Sequence, residues 1–108
     1  MPDDVLFLAD LAALAPHVPR GIHSQTLDDS PELRLVVFAF APGEELSEHT
    51  AARPAVVHVL DGEGDAVVGG VAHPIAAGTW FRMPARMPHS IRARTPLRVA
   101  LYLLPAAG

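Results

Sequence analysis

Turn-forming residues cut this chain into apolar runs too short for a helical core. Eleven prolines and eight glycines are spread over 108 residues, and they stand between the apolar runs rather than within them. Pro42-Gly43 opens a tight turn and Asp61-Gly62 marks another. Between them Ala55–Leu60 is apolar except at His58, the composition of a strand buried on both faces. Leu33–Ala41, LRLVVFAFA, reads as a central strand that delivers the chain to Pro42-Gly43. Gly69-Gly70 sits between two runs of β-formers and predicts a hairpin of 65–70 with 71–76. Further strands are expected at Gly21–Leu27, Thr79–Met83, Ser90–Thr95 and Leu97–Leu104. At the start, Val5–Leu8 suggests a short strand, and Ala9–Ala15 a turn or brief helix ending near Pro16. Many short strands with little helix imply an all-β sandwich or barrel, read as a single domain over residues 1–108.

Composition narrows the function classes. The apolar runs never approach the roughly 20 residues that a membrane-spanning helix needs, so no membrane association is expected. Acidic Asp3 and Asp4 stand where a signal peptide would carry positive charge. The absence of cysteine removes thiolate chemistry and disulfides. Together these point to the cytoplasm. The net charge of −4 divides unevenly: residues 1–48 carry nine acids against Arg20 and Arg34, whereas residues 49–108 carry three acids against six arginines. An arginine-rich second half suits an anionic ligand. There is no basic stripe with interleaved aromatics, so nucleic acid is not an expected partner. A chain this small gains from an oligomer interface, and a homodimer is expected.

The chemistry-bearing residues are histidines. His49 follows the Pro42-Gly43 turn, and His89 follows a loop stiffened by Met83-Pro84 and Met87-Pro88. If His89 points inward, strand alternation sends Ile91 and Ala93 inward with it and Arg92 and Arg94 outward. His58 interrupts an apolar strand, but its parity opposes it to Ala55, Val57 and Val59; only a bulge after Pro54 would turn it to the same side. His17 and His73 read as loop and edge residues. His23 and Gln25 read as edge-strand surface unless their face lines the barrel. Glu44, Glu45 and Glu48 approach His49 and read as solvated acids, any one of which could supply a carboxylate. There is no serine nucleophile signature, phosphate-binding glycine loop or paired catalytic carboxylate.

Two spacings then carry a resemblance. Gly43, five residues, His49, and Gly62 thirteen residues further on resemble the first cupin motif. Gly78, five residues, Pro84, four residues and His89 resemble the second. The resemblance implies a cupin-like double-stranded β-helix, a jelly-roll barrel, with the two motif histidines converging in its mouth. Metal-holding cupins usually offer a second histidine two residues after the first and a glutamate a few residues later. Here those positions are Ala51 and Ala55, and the asparagine that often follows the second-motif histidine is Ala93.

What the resemblance implies is therefore a reduced metal site of His49 and His89, with His58 as the first candidate third ligand. A nitrogen-only set suits zinc, nickel, copper or iron rather than magnesium or manganese. The expected function is a metal-dependent oxygenation, isomerisation or decarboxylation of a small polar organic molecule. The alternative is a barrel that binds a small-molecule ligand or signal without a functional metal site, its imidazoles serving as hydrogen-bonding or acid–base groups. A third reading is an interaction protein with a vestigial pocket.

Overall fold

Residues 4–106 are described by the structure, a computed structural model. Nine strands follow one short 3-10 turn at Ala12–Leu14: β1 (Ile22–Asp29), β2 (Arg34–Phe40), β3 (Glu45–His49), β4 (Ala55–Asp61), β5 (Glu63–Val68), β6 (Val71–Ala76), β7 (Trp80–Met83), β8 (His89–Ala93) and β9 (Leu97–Leu103). They form two antiparallel sheets, one in the order β1-β2-β9-β4-β7 and the other β3-β8-β5-β6. The inner faces close on each other as the expected all-β jelly roll. Val57, Val59, Leu97 and Val99 of the larger sheet pack against Ala66, Ile75, Ile91 and Ala93 of the smaller.

The all-apolar β2 lies between β1 and β9, and its two faces serve two cores. Phe38 and Phe40 turn into the barrel, with ring centroids 6.2 Å apart. Leu35, Val37 and Ala39 turn outward, where with Ala100 they bury Ala15 and contact Leu8, Leu11 and Val18. The N-terminal segment thus lies across the outer face of the larger sheet. Arg98 fastens it, donating from Nη1 to the Ala12 carbonyl at 2.9 Å and from Nη2 to Asp61 Oδ2 at 2.7 Å.

This placement corrects one expectation. Val5–Leu8 is not a strand: it pairs with no sheet edge, and Val5, Leu6 and Phe7 are exposed. The turn or brief helix expected after it is a single 3-10 turn, closed by i→i+3 bonds from Leu14 N to Leu11 O and from Ala15 N to Ala12 O ahead of Pro16. Glu45–His49, read as an approach of solvated acids with no strand assigned, forms edge strand β3 on β8, and Glu45 and Glu48 are exposed on it. Its exposed face tolerates polar residues because β3 is an edge.

Gly62 joins the two sheets. It holds φ at +92°, and a Cβ there would drive into the carbonyl of Pro96, so the β4–β5 corner is possible only without a side chain. The corner lets β4 leave the larger sheet and β5 enter the smaller, opposite β8.

Candidate functional site

A one-residue irregularity aims the first histidine. Leu46 pairs with Ile91 and packs into the core, and strict alternation from Leu46 would turn His49 outward. The register of β3 on β8 shifts between Leu46 and His49, so His49 instead pairs with His89 and joins the same inner face. His89 opens β8, and its alternation with buried Ile91 and Ala93 holds it inward at 6 % exposure. Arg92 and Arg94 face outward as expected.

The two imidazoles lie with centroids 4.1 Å apart and planes inclined by 55°. Each is fixed the same way, through its Nδ1 and the main-chain carbonyl two residues earlier: His49 to Ser47 at 2.9 Å, and His89 to Met87 at 2.9 Å. A carbonyl oxygen can only accept, so Nδ1 donates in both rings. In the neutral form each Nε2 then keeps its lone pair. Burial lowers the pKa of His89; the Met87 carbonyl opposes this and the neighbouring His49 adds to it. The ring is held neutral at physiological pH.

The pair borders a small cavity with about 40 Å³ of free space, walled by Phe38, Phe40, Leu46, Val57 and Leu101. That is room for a few waters or one ion with a small group attached. Among the described residues no third histidine, aspartate or glutamate joins the pair as a metal-binding cluster. His58 does not reach it: its Cα pairs with Ala100 and Trp80, and it alternates with Val57 and Val59, which pack in the barrel core. No bulge follows Pro54, since Ala55 through Val59 run in unbroken register with β9. The acids are also placed elsewhere. Glu44 Oε1 accepts from the Gly21 amide at 3.3 Å, Glu45 is opposite Arg92, and Glu48 is exposed. His23 sits opposite Ala39 on the outer side of the larger sheet, and His17 approaches Asp61 at 3.6 Å. The Ser47 and Met87 carbonyls that set the tautomers carry no sequence signal.

The loop before His89 is shaped by its own contacts. Arg86 takes a left-handed φ of +66°, and its amide donates to the Ala51 carbonyl at 2.7 Å, tying this loop to the one after His49.

The architecture has close counterparts. A conserved protein of unknown function from Streptococcus pyogenes superposes with a TM-score of 0.84 at 23% identity, over 97% of this chain and 92% of that one. A cupin superfamily protein from Desulfitobacterium hafniense gives 0.82 at 21% identity, over 97% and 94%. Salicylate 1,2-dioxygenase from Pseudoaminobacter salicylatoxidans, in its structure with gentisate, gives 0.73 at 23% identity, over 82% of this chain but 26% of that one. At these identities the likeness is one of fold. No curated protein matches the sequence. The family model for the cupin domain matches residues 36–104, which takes in both histidine motifs and the strands that carry them, and the chain belongs to the cupin family.

Proposed function

We propose that His49 and His89 hold a divalent transition metal ion, zinc, nickel, copper or iron, through their Nε2 atoms, and that the protein is a metal-assisted enzyme acting on a small polar organic molecule. The observation that carries this is the shared tautomer. Two rings that border one cavity are each anchored by Nδ1 to a carbonyl, which leaves Nε2 as the atom available to a metal, the arrangement by which second-shell bonds prepare histidine ligands. The donor set fits an open shell to which the protein gives two positions; it does not fit a closed structural site of four protein ligands. Water and substrate, rather than His58, would fill the remaining positions.

When bound, such an ion supplies Lewis acidity toward an oxygen or nitrogen of the substrate. The chain's own residues do the rest. Ser47 and Met87 orient the rings, and Phe38, Phe40, Leu46 and Leu101 give the cavity an apolar wall. Oxygenation, isomerisation or decarboxylation of that small polar molecule are the reaction types we assign; a dioxygenase is among the proteins that share the fold. We place the protein in the cytoplasm as a single-domain homodimer. Among the described residues no helix is long and apolar enough to cross a membrane.

A second reading, a barrel that binds a small molecule without catalysis, draws on the lack of a third ligand among the described residues and on the apolar cavity wall. Elemental analysis decides between the two. Tag-free protein, stripped with a chelator and then incubated with zinc, nickel, copper or iron(II), should take up close to one equivalent of one of these metals. His49→Ala/His89→Ala, with its fold checked by circular dichroism, should take up none. No uptake of any of the four by the parent removes the metalloenzyme and leaves the binding barrel.

A further inference from the structure

Val5, Leu6 and Phe7 are 48, 55 and 69 % exposed, three consecutive large apolar side chains in a segment that joins no sheet. The next residue, Leu8, is committed to the outer core over β2 and β9. The free side of β7 lies three strand spacings from β9, about 14 Å, whereas three extended residues reach about 10 Å. The segment therefore cannot run along that edge within its own chain.

The four sheet edges are β1, β7, β3 and β6, and they are not equally open to an added strand. β1 carries Asp28 and Asp29, and β3 carries Glu45 and Glu48, which repel a segment flanked by Asp4 and Asp10. Pro74 removes a main-chain donor from β6. β7 has neither acid nor proline, and its one charge, Arg82, is opposite in sign to the flanks of the segment. A cleft of about 450 Å³ opens between β6 and β7, floored by Ala66, Val68, Ile75 and Phe81, and no acidic side chain lines it. Phe81 faces this cleft. Trp80 and Arg82, in register with His58 and Val56, lie on the other face of the sheet, where Trp80 is 59 % exposed. A strand added to β7 would thus have the apolar cleft on one side and the indole on the other.

We infer that Val5–Phe7 of one copy pairs with the free edge of β7 in a second copy, and that the exchange is reciprocal, two added strands joining one dimer. Alternation puts Val5 and Phe7 in the cleft over Ile75 and Phe81, and Leu6 on the outer face beside Trp80. This interface is a form of the homodimer proposed above and rests on it. Trp80 is the chain's one tryptophan, so its fluorescence reports the contact directly.

The experiment is sedimentation of the full chain and of Val5→Ser/Phe7→Ser, with Trp80 emission recorded on the same samples. The parent should be a dimer. The variant changes two exposed positions, its fold is checked by circular dichroism, and it should dimerise about a hundredfold more weakly or worse for the loss of two buried apolar side chains. Its Trp80 emission should lie to the red of the parent dimer's, and the parent's should move the same way on dilution. A monomeric parent overturns this interface and the homodimer together. A dimer that Val5→Ser/Phe7→Ser leaves equally tight overturns the exchanged strand while the homodimer stands. A variant that dissociates with no change in Trp80 emission puts the segment on another surface and overturns the pairing with β7.

Discussion

Side-chain nitrogens in this protein are committed by main-chain geometry. The inward turn of His49 depends on one extra residue in β3, and both rings are locked by a carbonyl two residues back. The loop that presents His89 contains one residue in a conformation its side chain disfavours, Arg86 at φ +66°. A left-handed L-residue costs ~1–2 kcal/mol, while glycine there adds about 0.5–1 kcal/mol of unfolded-chain entropy. Arg86→Gly should therefore raise stability by ~0.5–1 kcal/mol, read as a higher urea midpoint with an unchanged m-value. A fall in the midpoint would mean that the Arg86 side chain makes contacts worth more than the strain.

The strands were legible in the sequence because the turn residues are. Pro42-Gly43, Asp61-Gly62 and Gly69-Gly70 lie at the ends of strands that begin and stop within a residue or two of expectation. The parity of His58 was legible for the same reason, since alternation along β4 needs only the period of a strand. What could not be read was anything set by a partner strand. The shift that reorients His49 exists only in the pairing of β3 with β8, and polar ELSEH looks like a loop until β8 lies beside it. Val5–Leu8 failed in the opposite sense, being apolar enough for a strand but given no edge to join. The corner between the sheets yields the prediction at this scale. Gly62→Ala meets both a positive φ and the Pro96 carbonyl, so it should cost at least ~1–3 kcal/mol. At about 4–8 °C per kcal/mol for a domain near this size, thermal unfolding would register it clearly. An unchanged melting temperature would show that the corner relaxes freely.

Across the molecule, the larger sheet has a core on each side, and the outer one depends on a segment with almost no regular structure of its own. Ala15, Leu8, Leu11 and Val18 cover Leu35, Val37, Ala39 and Ala100, while the Arg98–Asp61 pair and the Ala12 carbonyl pin the cover down. Asp61 has its pKa lowered, chiefly by the hydrogen bond from Arg98, with burial opposing and the charges of Arg98 and His17 assisting. A carboxyl held below its unfolded value binds fewer protons in the native state, so its contribution is complete above the unfolded value. That contribution disappears as pH falls through the native one. Urea midpoints of the parent and of Asp61→Asn, measured from pH 7 downward, should therefore be furthest apart at neutral pH and converge below about pH 4. Salt should narrow the neutral-pH gap only partly, because the Arg98 side chain is mostly shielded from solvent while that of Asp61 is not. Parallel midpoint curves down to pH 3 would mean that Asp61 holds the cover by shape rather than by charge. The anchor of the outer core would then be Arg98 on the Ala12 carbonyl alone.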